Sequence, residues 1–130
     1  MIIDTHVHVW EIDAVKYPLG PTISTWNNYP DQPGTADELI NEMDEHQIDW
    51  SVLIQSSWST WDNSYIADSV KRYPNRLIGQ GLIDPYDKTN ADKISYWINK
   101  QISKCYILSL IHKSRCRRIE RSRTLWTNNH

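Results

Sequence analysis

Cysteine is scarce in this chain: 130 residues hold two, Cys105 and Cys116. With no secretory signature ahead of them, they read as reduced thiols and not as the framework of a disulfide-stapled domain. Long hydrophobic runs are missing too. The longest apolar stretch, Cys105 to Ile111, is broken by Ser109 and falls far short of the roughly 18 residues a membrane span needs. The opening Met1-Ile2-Ile3-Asp4 has neither the basic start nor the extended apolar segment of a signal peptide, so a cytoplasmic protein without a membrane partner is expected. Neither charge dominates: 14 Lys and Arg stand against 16 Asp and Glu, a net −2, which excludes a global field for nucleic acid. No fixed-period repeat and no low-complexity tract is present.

What is present suits one domain of ordinary composition, 39% hydrophobic and 23% charged. A chain of this size buries about two thirds of its unfolded surface. The charge is unevenly spread. Residues 1–100 carry 7 basic and 15 acidic side chains, a net −8, whereas residues 101–130 carry 7 basic and one acidic, Glu120, a net +6. All four glycines and all six prolines lie in the first segment, both cysteines in the second.

Strand and helix signals alternate. Ile2 to Val9 reads as a strand, followed by a loop punctuated by Pro18, Gly20, Pro21, Pro30, Pro33 and Gly34. Thr35 and Glu38 have capping-box spacing, and Ala36, Leu39, Ile40 and Met43 fall on one helical face. Trp50 to Gln55 is a mostly apolar run, as in a strand covered on both faces. A helix is expected from about Asn63 to Tyr73, with Ile66, Val70 and Tyr73 on one stripe and Pro74 stopping it. Leu77 to Ile83 reads as a third strand, Ala91 to about Gln101 as a third helix with Ile94, Trp97 and Ile98 inward, and Lys104 to His112 as a fourth strand. This order predicts a parallel α/β sheet with right-handed crossovers, doubly wound or barrel-like.

The segment Asp4-Thr5-His6-Val7-His8-Val9-Trp10 carries the chemistry. Strand alternation puts Asp4, His6 and His8 on one face and Thr5, Val7 and Val9 on the other. Two imidazoles spaced in this way can reach one divalent ion at about 2.0–2.1 Å. A metal with an open position lowers the pKa of bound water toward about 7 and polarises a carbonyl, so a hydrolytic centre follows. A His-x-His pair on a strand is also compatible with hydrogen-bonded or simply exposed rings. Its position at the C-terminal end of a parallel strand, where α/β active sites collect, favours the metal.

Those residues, with Tyr17-Pro18 and Gly20-Pro21 after them, resemble the opening of the amidohydrolase-related, metal-dependent hydrolases of the TIM-barrel fold. The likeness continues through Ile48 to Gln55, Trp61 to Tyr65, Arg72 to Leu77 and Gly81 to Pro85, and so covers roughly residues 1–100. It is similar in particular to the branch of sugar and dicarboxylate lactonases. The resemblance implies His6 and His8 as metal ligands, a divalent metal (Zn first, Mn as the other choice), and a small-molecule lactone or related carbonyl substrate. Related branches include decarboxylases, and some lactonases work without metal. A complete (β/α)₈ barrel needs about 250 residues, so the expectation is the N-terminal half of one over 1–100 and a divergent or frame-shifted basic tail over 101–130. The alternatives are a decarboxylase on the same scaffold, or a catalytically inactive truncated fragment that self-associates through an exposed barrel edge.

Gln55 and Ser56 at the end of the second strand, and Asp84 at the end of the third, are placed at the same mouth. Gln55, Asp84 and Trp58 are therefore candidate substrate-binding residues, although Asp84 also suits a turn before Pro85 and Trp26, Trp58 and Trp61 also suit loop packing. His46 reads as structural, at a helix C-terminus where the dipole favours a cation. His112 with Cys116 has i, i+4 spacing, and Lys113 to Arg123 lacks an apolar stripe and an aromatic platform, the pattern of a solvated tail.

Overall fold

The computed structural model describes residues 1–18, 20, 30–56 and 58–99, together with the backbone of Leu108 and Ser109. Along it run β1 (Ile3–Val7), α1 (Ala36–Glu45), β2 (Trp50–Ile54), α2 (Ser64–Arg72), β3 (Leu77–Gln80), β4 (Leu82–Ile83), α3 (Asn90–Asn99) and β5 (Leu108–Ser109). β1, β2 and β3 form a parallel sheet in sequential order, and β4 pairs in parallel with β5. A doubly wound sheet reverses strand order at a switch point. Three parallel strands in sequential order, with helices on one face, occur in an arc of a (β/α)₈ barrel and also in the first half of a doubly wound sheet, before its switch point. The fold is therefore α/β with parallel strands, as the sequence predicts.

Helices seal one face of the sheet. Leu53 and Leu77 meet Val9, Tyr17, Ala36, Met43, Tyr65 and Ile66 in a buried cluster, with Val7, Leu39, Ile40 and Val70 at its margin. On β2 the burial alternates, Ser51 and Leu53 fully buried against half-exposed Trp50, Val52 and Ile54. This corrects the expectation of a strand covered on both faces. The second face is apolar because in a barrel it looks into the lumen, and in the described arc helices cover only the other side.

α1 begins as its sequence predicts. Glu38 N–H donates to Thr35 Oγ1 at 3.2 Å, and Thr35 N–H to Glu38 Oε2 at 2.8 Å. The Tyr65 hydroxyl of α2 accepts Ala36 N–H at 3.0 Å, so a neighbouring helix satisfies another donor of the first turn. The helix ends without glycine. Gln47 takes a left-handed φ of 57°, Ile48 N–H donates to Met43 O at 2.8 Å and Gln47 N–H to Asp44 O at 3.3 Å, the two bonds of a Schellman motif. His46 is its exposed C-cap residue.

The expected third strand, Leu77 to Ile83, is split at Gly81. Asn63, 1% exposed, turns its carboxamide onto the chain here: Leu82 N–H donates to Asn63 Oδ1 and Asn63 Nδ2 to Leu82 O, both at 2.8 Å. A side chain thus occupies both backbone groups of Leu82, and a Cβ at Gly81 would stand 2.9 Å from it. Asn63 precedes α2 without capping it, and Asp62 Oδ1 accepts Ser64 N–H at 2.9 Å. A second correction concerns α3. It contributes no buried residue, and Ile98, expected inward, is 43% exposed. Its own Tyr96 and Trp97 rings meet edge to face, and the helix sends no apolar residue into the buried core cluster.

β5 falls within the expected fourth strand, Lys104 to His112. Apart from the backbone of Leu108 and Ser109, the tail over 101–130 with Cys105, His112 and Cys116 lies outside the described residues, as does Trp26. No helix among the described residues is long and apolar enough to cross a membrane.

Candidate metal and substrate site

β1 pairs with β2 through Ile3↔Trp50, Asp4↔Ser51 and Val7↔Leu53. Three steps on β1 face two on β2, so β1 carries one extra residue between Asp4 and Val7. Such a bulge reverses the alternation beyond it. Register partners in a parallel sheet share a face, which places Asp4 with Ser51 on the helix side and separates it from His6 and His8, correcting the expected row of three. The Asp4 carboxylate accepts His6 N–H at 3.1 Å and so stabilises the bulge.

Val7 and Val9 go into the core, so His8 between them faces the lumenal side. The His6 and His8 rings stand with centroids 5.0 Å apart and planes at 89°. His8 Nδ1 lies 2.8 Å from the carbonyl oxygen of Ile54, at the end of β2. A carbonyl oxygen can only accept, so in the neutral ring the proton sits on Nδ1 and the lone pair on Nε2. Metal-binding histidines are oriented in this way, the second nitrogen held by a backbone carbonyl. Two rings each bound to one tetrahedral ion at about 2.0–2.1 Å have centroids roughly 5 Å apart. The observed separation fits that requirement, and it also suits an edge-to-face contact between two neutral rings. Both rings are exposed on the open face. Among the described residues no group of three or more His, Cys, Asp and Glu side chains is placed to hold a metal. The pair is at most two donors of a larger set.

The candidate substrate contacts are dispersed. Gln55 is 6% exposed and follows Ile54, so it points to the helix side, where its Nε2 donates to the Asp62 carbonyl. Asp84 accepts Tyr86 N–H at 2.9 Å on its carboxylate and Asn90 Nδ2 at 2.7 Å on its carbonyl, binding the turn that leads into α3. Trp58 stacks edge to face on Trp10 at 5.0 Å, and its carbonyl accepts Gly20 N–H at 2.9 Å. Trp10 is anchored in turn by an antiparallel bridge to Gly34 and by donation from Nε1 to Gln32 O at 2.7 Å. A Cβ at Gly34 would come within 2.7 Å of the Trp10 ring, so glycine is required there. Trp10, Gly34, Glu38 and Glu42 line, with His8, a cleft of about 440 Å³.

Groups with displaced acidity lie elsewhere. Hydrogen bonds from Tyr73 and Arg72 hold the Asp37 carboxyl below its ordinary range, and Lys93 and Thr89 do the same for Asp87. Burial raises the Tyr65 hydroxyl. These are contacts between helix surfaces and in the turn before α3, not a catalytic cluster. Gln80, on the lumenal face at the end of β3, was not among the sequence candidates. Only its register opposite Ile54 reveals it.

With this geometry, the class of fold is that of TIM-barrel proteins, of which the described chain forms part. No family model matches the sequence, and no curated protein does. Among solved structures, a probable 2-pyrone-4,6-dicarboxylic acid hydrolase from Acinetobacter baumannii, crystallised with citric acid bound, is 27% identical over 78% of this chain, with a TM-score of 0.61. A protein provisionally given the same activity, from Pseudomonas putida, is 18% identical over 77% of this chain, with a TM-score of 0.57. The chain spans 35% and 34% of those two proteins, about a third of each.

Proposed function

We propose that this chain carries the N-terminal, metal-presenting part of a metal-dependent hydrolase that opens a lactone or a related cyclic ester. The observation that carries the reading is the His8 contact with the Ile54 carbonyl, which leaves Nε2 free beside the His6 ring. Likeness to a probable pyrone dicarboxylic acid hydrolase at 27% identity supports hydrolysis of a cyclic ester bearing carboxylates.

On this reading His6 and His8 hold a divalent metal, Zn or Mn. When bound, such an ion supplies Lewis-acid polarisation of a carbonyl and water that ionises near neutral pH. The Ile54 carbonyl keeps the His8 ring in the required tautomer, and the Asp4 carboxylate, accepting His6 N–H, steadies the bulge that precedes the pair. Two imidazoles fill half of a four-coordinate site. The other positions then belong to water, substrate or groups outside the described residues.

Cobalt(II) titration of the full chain, followed by visible absorption and by calorimetry, tests the metal step. Wild type should bind about one ion, and His6→Ala or His8→Ala should each weaken binding by tenfold or more, in line with an effect of roughly 10–100-fold already seen on losing an outer-shell partner alone. Binding unchanged by both substitutions refutes the metal reading. Ring opening of 2-pyrone-4,6-dicarboxylate, followed by ultraviolet absorption, tests the hydrolase reading.

A further inference from the structure

Ile54 and Gln80 are register partners in the parallel β2–β3 pair, so their side chains leave the sheet on the same face. Ile54 is also the residue whose carbonyl holds His8. His8, Ile54 and Gln80 therefore form a row across the C-terminal ends of three neighbouring strands, the end at which barrel enzymes bind their substrates. Strands lie about 4.8 Å apart, so the Gln80 backbone is roughly 10 Å from β1. The reach of a glutamine side chain shortens that gap to the width of a small substituted ring.

The two glutamines at this mouth differ in what they do. The Gln55 carboxamide is committed, buried on the helix side and donating to the Asp62 carbonyl. The Gln80 carbonyl accepts Gln55 N–H at 2.9 Å, which fixes its backbone, while no hydrogen bond among the described residues engages its half-buried carboxamide. A carboxamide at such a position has two donors and an acceptor to satisfy. Around it on the same face stand Val52, Ile54 and Ile78, half-exposed apolar side chains that could seat a ring and offer no competing polar group.

We infer that Gln80 is a substrate-binding residue, its Nε2 donating to a carboxylate oxygen of a cyclic ester whose reacting carbonyl lies over His6 and His8. The inference rests on the hydrolase reading above and assigns to Gln80 the contact that the sequence alone suggested for Gln55. Gln80 thereby selects for a ring carrying an anionic substituent on the side away from the histidines.

The test is calorimetric binding of 2-pyrone-4,6-dicarboxylate to the full chain loaded with zinc, in wild type, Gln80→Ala and Gln55→Ala, with cobalt(II) titration and thermal unfolding of each. A hydrogen bond to a charged group corresponds to roughly tenfold in affinity or more. Gln80→Ala should weaken binding of the dicarboxylate by about that factor while leaving cobalt affinity and the unfolding midpoint at wild-type values. Gln55→Ala should lower the midpoint. Dicarboxylate affinity unchanged in Gln80→Ala, or no binding by wild type, overturns the inference, as does a fall in midpoint as large as that of Gln55→Ala. Cobalt binding that ignores His6 and His8 is a separate result and overturns the metal reading instead.

Discussion

Replacing Asn63 by alanine should be among the most damaging single changes in the chain. Asn63 is 1% exposed and its carboxamide makes two 2.8 Å hydrogen bonds to the N–H and C=O of Leu82, itself 7% exposed. Alanine removes both partners and leaves two buried backbone groups to be satisfied by whatever water can enter. Each such group costs about 1–3 kcal/mol when left unpaired, so the expected loss is about 2–6 kcal/mol, a large part of the roughly 5–15 kcal/mol that holds a domain together. Urea unfolding followed by circular dichroism measures it. With m of about 1–3 kcal/mol per molar, the midpoint should fall by about 1–2 M. Asn63→Asp sharpens the test at nearly constant volume. The carboxylate keeps the bond from Leu82 N–H but sets an oxygen against the Leu82 carbonyl, so burial and that contact both raise its pKa in the folded state. The variant should accordingly be weak at neutral pH and recover part of its stability as pH falls through the raised value, when the proton restores the donor. Gly81→Ala presses a Cβ to 2.9 Å from Asn63, and combining it with Asn63→Ala should cost less than the sum, since the truncated side chain makes room. A loss below 1 kcal/mol for Asn63→Ala, or no pH dependence for Asn63→Asp, would refute the assignment of Asn63 as the clasp between α2 and β4.

Two further changes probe the scaffold. Gln47 sits at the left-handed position closing α1, so Gln47→Gly should stabilise the chain by about 1 kcal/mol, and a thermal midpoint that falls would count against the Schellman geometry. Hydrogen bonds from Tyr73 and Arg72 hold the Asp37 carboxyl below its ordinary 3.8, so this contact stabilises the fold above that value and is lost as pH falls through the depressed one. Unfolding midpoints of Asp37→Asn should be lower than wild type at pH 7 and converge with it in acid. The difference at pH 7 should be small, because Arg72 and Asp37 are half exposed.

Much of the scaffold is readable from local chemistry. The capping box at Thr35, the helical stripes of α1 and α2 and the β-rich runs at Ile3 and Val52 are short-range signals, and they mark the elements within a residue or two. Element order in turn points to a parallel α/β arrangement, because strands that alternate with helices must cross over. The His6 and His8 pair is legible for the same reason: a two-residue spacing brings two rings to one side of a strand. What misleads is alternation carried too far. Asp4 leaves the histidine face because an extra residue in β1 shifts the register, and nothing between Ile3 and Val7 announces a bulge.

Everything that depends on pairing across the chain was decided by the tertiary structure. Gln55 and Gln80 are both polar residues at strand ends. Their different fates follow from which face each occupies and from the Asp62 carbonyl that claims only one of them. The break at Gly81 exists because Asn63, eighteen residues earlier, inserts its carboxamide where a strand neighbour would bond. Proton placement on His8 needs the Ile54 carbonyl, 46 positions away in the chain. Local preference is carried by each residue and its near neighbours, whereas register, tautomer and the facing of side chains at the barrel mouth are set by distant backbone groups that only the folded chain brings within hydrogen-bonding reach.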